Sequence, residues 1–218
     1  MRKSKFITLV LIVLLTLLPV VSVTMMYHIT QCKAIEGMAN GYFGDSYTLC
    51  SVDDSIKNRD VVMQAVDNIK ARVALYMTKQ YGKNKVNAIY YNKQFVNFPM
   101  RYGHFFTKEE LKCGKNMAVV GKNLEGKIKE QDGYKYIKVK DEYFRVIGII
   151  GYDSETIIDD YIYISVKQAD GIIDSNLCTL DIWGKETGAE DQFTEELSEN
   201  GISAEERAGT DAYTESVL

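Results

Sequence analysis

The stretch that decides the fold is DVVMQAVDNIKARVALYMTKQY, Asp60–Tyr81, which lies between two short β-prone stretches. Its apolar residues recur every three or four positions and form one stripe, made of Val62, Val66, Ile69, Val73 and Met77. This spacing predicts a single amphipathic helix over 60–81, with Gly82 as its stop signal. The flanking stretches, SYTLCSV at 46–52 and VNAIYY at 86–91, have the composition of strands. The three elements form a β-α-β unit.

A second β-α-β unit is predicted nearer the C-terminus, from a strand at 178–183, a helix at 190–199 and a strand at 202–207. Between the two units, short apolar or alternating stretches predict strands at 117–120, 134–139, 143–150 and 161–166. Two β-α-β units in one sheet give an α+β, ferredoxin-like subdomain. We expect this main subdomain to cover about 46–124 and 160–207, with a small, mostly-β insert at about 125–159.

The N-terminal 27 residues have the pattern of a membrane anchor. Residues 6–27 carry no charge and, as a helix, would extend about 30 Å, the thickness of a bilayer core. Arg2, Lys3 and Lys5 precede them, which predicts a cytoplasmic N-terminus and an extracytoplasmic domain over 28–218. The alternative is a cleaved signal peptide, but the apolar core is longer than usual and no small-residue cleavage site ends it.

Charge and cysteine content narrow the class of protein. The net charge is −4 over 218 residues. The one region dense in lysine, Lys108–Lys140, is interrupted by acids throughout and is interpreted as a solvated face, so nucleic acid is not an expected partner. Four cysteines occur, at positions 32, 50, 113 and 178, and no CxxC pair suggests zinc or thioredoxin chemistry. A disulfide is permitted outside the membrane. Cys32 and Cys50 are the nearest pair in sequence, but the pairing stays open.

The sequence predicts no catalytic residue, cofactor or metal site. The segment 114–123 resembles a phosphate loop only loosely, and its middle has the pattern of a strand. His28 and His104 are the two histidines, and neither has a motif that supplies a catalytic partner. The pairs Asp53-Asp54 and Asp159-Asp160 could bind a metal or act in acid–base chemistry. Neighbours on a strand point to opposite faces, however, and cannot easily share a proton, so both pairs are interpreted as turn acids.

An aromatic cluster is the remaining candidate for function. It lies in and beside the irregular segment NFPMRYGHFF at 97–106, with Phe95, Phe98, Tyr102, Phe105 and Phe106 as its members. At least half of such a cluster should be core. We expect Phe98, Met100 and Tyr102 to form a partner surface.

Four motifs, in this order, resemble the extracytoplasmic core domain of MacB/FtsX-type ABC transporter permeases. GHFFTKEEL at 103–111 is similar to the family's G-R-x-F-T-x-x-D, and NMAVVGKNL at 116–124 to x-V-A-V-[IL]-G-x-x-L. YFRVIGII at 143–150 is similar to F-x-V-I-G-V, and DYIYI at 160–164 to the strand D-x-x-x-I/V-P. The anchor matches the family's first membrane helix. His104 stands where Arg is usual, and Ser165 stands where Pro is usual.

The resemblance implies a mechanical function without catalysis in this chain. Such permeases are dimers, with a second copy or a paralogue, and a separate or fused cytoplasmic ATPase drives them. They export peptides or lipids, move lipoproteins, or signal to a protein of the cell envelope. Three more membrane helices follow this domain in the family, so a chain ending at Leu218 is expected to be a fragment of a longer permease in the plasma membrane. The alternatives are a membrane-anchored ligand-binding sensor ectodomain and, third, an anchored hydrolase.

Overall fold

The computed structural model describes residues 17–26, 46–55, 57–93, 98–153, 155–183 and 188–207. The chain divides into two compact units, Met1–Ala39 and Asn40–Leu218. In the first unit, residues 17–26 are helical and exposed. No helix among the described residues has the length and apolarity needed to cross a membrane. Most of the predicted span at 6–27 lies outside the described residues.

The second unit contains, within the described residues, one mixed sheet and a few helices. Its strands are β1 (Ser46–Val52), β2 (Arg72–Tyr81), β3 (Asn84–Tyr91), β4 (Met100–Gly103), β5 (Met117–Gly121), β6 (Lys129–Gln131), β7 (Tyr134–Val139), β8 (Glu142–Ile150), β9 (Tyr161–Ser165), β10 (Leu177–Trp183) and β11 (Ala204–Arg207). Its α-helices are α1 (Arg59–Asn68), α2 (Lys108–Lys112) and α3 (Ala189–Glu199). Short 3-10 helices cover Lys122–Lys127, Ile157–Asp160 and Val166–Gln168.

The helix predicted over 60–81 is wrong in its second half. Helix α1 ends at Asn68, and Arg72–Tyr81 is a strand. The side chain of buried Asn92 explains the change. Its Nδ2 donates to the carbonyls of Ile69 and Ala71, at 2.9 and 2.7 Å, and its Oδ1 accepts from the amide of Val73 at 3.1 Å. These backbone groups are therefore bonded outside a helix. Gly82 lies in the turn between β2 and β3, with a φ of +59°.

The two β-α-β units interleave in one half of the sheet. The strand order there is β11-β1-β10-β2, and all three pairings are antiparallel. Helices α1 and α3 pack against each other, and Asn68 Nδ2 donates to Glu196 Oε2 at 2.8 Å. Their apolar residues, including Val66, Phe193 and Leu197, are buried. The fold is thus mixed α/β, and strand β1 of the first unit lies between the two strands of the second.

The other half of the sheet continues without a break. Strand β3 pairs in parallel with β9, β9 pairs with β5, and the order then runs β5-β8-β7-β6. Strand β4 pairs with β8 off this path. One sheet therefore includes strands of both the predicted main subdomain and the predicted insert. The boundaries at about 124 and 160 stay a prediction.

An ion-pair cluster attaches α1 to α2. Asp67 accepts from Lys112 Nζ at 2.7 Å and from the Tyr90 hydroxyl at 2.9 Å, and Lys108 Nζ lies 2.8 Å from its other oxygen. Burial alone would raise the pKa of Asp67, but the bonds from Lys108, Lys112 and Tyr90 outweigh it and hold that pKa below its ordinary value. The charged form of Asp67 is therefore favoured in the folded state.

Candidate functional site: an aromatic cleft beside β4

The segment that follows β4 is held in place by the first turn of α2. The Thr107 hydroxyl accepts from the amide of Glu110 at 3.2 Å, and Glu110 Oε2 accepts from the amide of Thr107 at 2.8 Å. These two bonds form a capping box, whose sequence signature is Thr followed three residues later by Glu. It fixes the chain direction directly after Phe105 and Phe106.

Two glycines bring β4 close to β8. Gly103 has a φ of +64°, and a Cβ added to it would lie 1.9 Å from the carbonyl oxygen of Ile147. A Cβ on Gly148 would lie 2.3 Å from the carbonyl oxygen of His104. Only glycine permits both approaches. The close contact of the two backbones holds the exposed residues 101–104 alongside β8.

A half-open cleft of about 570 Å³ lies beside this segment. Its lining residues are mostly aromatic or apolar, with a few polar ones: Tyr91, Phe98, Met100, Gly103, His104, Phe105, Phe106, Thr107, Lys108 and Glu109. Phe98 and Phe105 stack with ring centroids 4.0 Å apart, and Tyr163 meets both rings edge-on at 5.7 and 5.6 Å. One wall of the cleft is therefore a rigid aromatic cluster.

Tyr91, His104 and Glu110, at or beside the cleft, are each hydrogen-bonded. The Tyr91 hydroxyl donates to the carbonyl of Phe106, and burial, then the nearby Glu110 and Glu109, raises the pKa of Tyr91 to about 12. His104 Nε2 lies 3.0 Å from Glu110 Oε1. Burial alone would raise the pKa of Glu110, but the bonds from the Thr107 amide and from His104 lower it overall.

Sequence reasoning missed the partner of His104. Glu110 is six residues away, a spacing that matches no catalytic motif, and the capping box at Thr107 turns the chain between the two residues. Of the described residues that line the cleft, Glu109 is the one that is acidic. Among the described residues, the arrangement offers a histidine–carboxylate hydrogen bond and an aromatic contact surface, and no pair of carboxylates lines the cleft.

The predicted partner surface is spread over three environments. Phe98 is buried, with 6% of its surface exposed, and belongs to the aromatic cluster. Met100 is half-buried and lines the cleft. Tyr102 is 49% exposed, outside the lining of the cleft, and Lys135 Nζ lies 4.0 Å from its ring centroid. Phe106 is core, as expected for part of the cluster, and Phe95 lies outside the described residues. The surface itself stays a prediction.

The other candidate residues do not assemble into a site. In the part of the chain that the structure describes, no group of three His, Cys, Asp or Glu side chains could hold a metal. Residues 117–121 are strand β5, as predicted for the middle of the loop-like segment 114–123. Cys50 and Cys178 are buried and Cys113 is exposed. Cys32 and His28 lie outside the described residues, so a Cys32–Cys50 bond stays a prediction.

Asp159 lies in the 3-10 turn Ile157–Asp160, in agreement with its interpretation as a turn acid, and it also forms a buried ion pair that the sequence does not predict. Its side chain is fully buried and lies 3.2 Å from Lys122 Nζ, which is itself 11% exposed. Thr156 donates to both carboxylate oxygens, through its amide at 2.7 Å and its hydroxyl at 3.0 Å. The ion pair attaches the loop at 151–160 to the end of β5. No motif in the sequence indicates this ion pair, because Lys122 and Asp159 are 37 positions apart.

The fold and these sites define an α/β domain whose described part offers surfaces for contact and no assembled catalytic centre. Residues 9–200 match the model of the MacB-like periplasmic core domain family, so the chain belongs to that family. No curated protein matches the chain significantly. Solved structures do match, among them the periplasmic region of MacB from Actinobacillus actinomycetemcomitans, with 13% identity, a TM-score of 0.48, and coverage of 85% of this chain and 97% of that one.

Membership confirms the family resemblance found in the motifs. The domain is of the kind carried by ABC transporter permeases, which are transporter components. Proteins of this kind generally work with a cytoplasmic ATPase and form dimers. Because the family is one of periplasmic core domains, the bulk of the chain lies on the extracytoplasmic side of a membrane.

Proposed function

We propose that this chain is the extracytoplasmic part of an ABC permease subunit that transmits ATPase-driven motion across the membrane. Its anchor would be the helix predicted at 6–27, and its partners a cognate cytoplasmic ATPase and a second permease copy or paralogue. The motion would export or act on a peptide, lipid or lipoprotein-type substrate, or act on a protein of the envelope.

The observation that carries this proposal is the continuity of the sheet. Backbone pairing runs from β11 at one edge to β6 at the other. Where the two halves meet, β3 and β9 are packed on both sides, with Ala88, Ile89 and Ile164 fully buried. Close-packed interiors are stiff and transmit strain. A displacement at the β11 edge would therefore move the β6 edge as part of the same body.

The buried ion pair between Lys122 and Asp159 also supports the proposed transmission of motion. Lys122 and Asp159 join the 3-10 helix after β5 to the one before β9. Removing one partner of such a pair is costly, so the loop between β8 and β9 stays attached. We propose that the ferredoxin-like subdomain covers about 46–124 and 160–207, and that the loop between β8 and β9 is its junction with the insert strands β6, β7 and β8.

Distance measurements between two copies of the chain test the proposal. Cys113 is exposed while Cys50 and Cys178 are buried, so a spin label will react at Cys113 once Cys32 is replaced by serine. In membranes that contain the full permease and its ATPase, ATP should change the distance between the two labels. An ATPase variant that binds but does not hydrolyse ATP should trap the changed distance. Equal distances with and without ATP, in a preparation that hydrolyses ATP, would contradict the proposal.

The cleft beside β4 favours a second candidate function, a ligand-binding sensor ectodomain. Its volume of about 570 Å³ lies in the range of small-molecule sites. A thermal-shift screen of small aromatic and amphipathic compounds tests this function. A true ligand should stabilise the chain, and Phe105→Ala should abolish the effect. A shift that persists in Phe105→Ala would exclude the cleft as the site.

A further inference from the structure

The outer face of the β6-β7-β8 strands combines tyrosines with cations. In the register of these strands, Lys129 lies opposite Tyr136, Tyr136 opposite Arg145, and Lys138 opposite Tyr143. Directly opposed residues share a face, and Tyr134, two positions before Tyr136, shares it as well. We define the tyrosine–cation face by these six residues: Lys129, Tyr134, Tyr136, Lys138, Tyr143 and Arg145.

The alternate residues of the same strands form the core side. Ile137, Val139 and Phe144 are buried, with 2%, 3% and 0% of their surfaces exposed. On the tyrosine–cation face, in contrast, Tyr134 and Tyr143 are 48% and 49% exposed. The strands thus have one packed side and one side with large aromatic rings in solvent.

The charge of this face differs in sign from that of the chain, which is −4 overall. Three of the six residues are cationic and none is acidic. Glu130 pairs in register with Lys135 and so belongs to the other side of the strands. Asp141 lies next to the face, 3.9 Å from Lys138 Nζ, at the limit of an ion pair, and it is 88% exposed. The face therefore has positive charge that acids beside it hardly neutralise.

Arg145 lies against an aromatic ring in a position from which it can bind a carboxylate. Its guanidinium carbon lies 4.3 Å from the centroid of the Tyr134 ring. Stacking on an aromatic ring orients the planar guanidinium and leaves its N–H edge available for two parallel bonds to a carboxylate. The tyrosine hydroxyls add hydrogen-bond donors beside it. The partner that complements these groups is rich in acceptors and negatively charged.

We propose that the tyrosine–cation face binds an extended, carboxylate-rich segment of a partner protein. The face spans two strand spacings, about 10 Å, by four residues of β7, about 13 Å. That area is far below the roughly 800 Å² per partner of a standard stable interface, so it fits a short segment and not a whole domain. Exposed aromatic rings and arginine are enriched at protein interfaces, which favours a polypeptide over a phosphate polymer or a lipid surface.

The proposal goes beyond transmission of motion, and its test needs no ATPase. The probe is a fluorescein-labelled peptide of about ten residues that alternates Glu and Thr, an extended pattern with its carboxylates on one side. A Lys/Thr peptide of equal length is the matched probe. Anisotropy with the full chain should show binding of the Glu/Thr peptide alone, weakened by added salt.

Three double variants locate the contact. Lys138→Glu with Arg145→Glu should weaken binding about tenfold or more, because it reverses two charges that face the peptide. Tyr134→Ala with Tyr143→Ala should weaken it severalfold through lost ring contacts. Lys57→Glu with Lys70→Glu makes the same change in net charge at exposed positions before β2, which β3, β9 and β5 separate from β8, and binding should stay within about twofold.

Several results would overturn the proposal. These are absence of binding to the Glu/Thr peptide, unchanged binding in the Lys138/Arg145 variant, and an equal loss in the Lys57/Lys70 control. Equally tight binding of polyphosphate or phosphatidylglycerol vesicles, insensitive to the tyrosine substitutions, would show general attraction of anions and refute a protein site. If the charge reversal impairs folding by circular dichroism, the Lys138→Gln, Arg145→Gln variant replaces it with the same criterion. A failed test leaves the proposed function in transport untouched.

Discussion

The most exacting prediction concerns Asn92→Ala, which removes the side chain that separates α1 from β2. Asn92 is 7% exposed and makes three side-chain hydrogen bonds, to the carbonyls of Ile69 and Ala71 and from the amide of Val73. A buried hydrogen bond contributes about 1 to 1.5 kcal/mol net, and a buried group left without a partner costs more. We therefore expect a loss of about 3 to 4 kcal/mol in the free energy of unfolding.

Trp183, the single tryptophan of the chain, provides the assay. It lies opposite Arg72 in the register of β10 and β2, close to the Asn92 contacts. Urea unfolding followed by its fluorescence should give a midpoint lowered by about 1.5 to 2 M, for a slope near 2 kcal/mol/M.

The matched control is Asn116→Ala. Asn116 is exposed, and its side chain donates one bond, to Glu142 at 3.2 Å. Its loss should be below about 0.5 kcal/mol. If Asn92→Ala lost less than about 1 kcal/mol, the claim that Asn92 determines the end of α1 would be refuted.

Three further predictions concern stability. Asp159→Ala should lower the free energy of unfolding in urea by about 3 to 5 kcal/mol, because it leaves the Lys122 charge buried without its partner. Adding Lys122→Met should recover part of this loss. Equal instability of the single and double variants would argue against a coupled pair. Gly121→Ala should cost about 2 kcal/mol in the free energy of unfolding, because its Cβ would lie 2.2 Å from the carbonyl oxygen of Asp159. The control Gly126→Ala places a Cβ with no atom within 4 Å and should be neutral or slightly stabilising. Thermal unfolding of the two variants measures the difference, and equal midpoints would contradict the prediction. The lowered pKa of Asp67 adds stability above its unfolded pKa of about 3.9, and this stability is lost as pH falls through the folded value. Asp67→Asn should therefore flatten the acid limb of the stability profile, and an unchanged limb would rule out this contribution.

Local signals in the sequence predicted many elements well. The capping box of Thr107 and Glu110 is observed, and strand β1 is observed with its predicted bounds, 46–52. Such features depend on neighbours a few positions away, so a single sequence contains their causes. The motifs that indicated the family are local in the same sense, and the match over residues 9–200 confirms them.

The stretch at 60–81 shows why local signals fail. Residues four apart share a face in a helix, and they also share a face in a strand, so Val73 and Met77 fit both periods. Asn92, which follows β3, determines that the helix ends before β2, because its side chain bonds the backbone of Ile69, Ala71 and Val73. Periodicity within 60–81 contains no information about that contact.

The sequence by itself determined the local elements, the family and the acidic balance of the chain. Tertiary structure alone decided where α1 ends, how the two β-α-β units interleave, and that Asp159 is buried against Lys122. It also brought His104 to Glu110 and aligned the tyrosines and cations of β7 and β8 on one face. The physical reason is common to all of these. Each depends on contacts between residues that only the folded sheet and its turns bring together, and such contacts override weak local preferences.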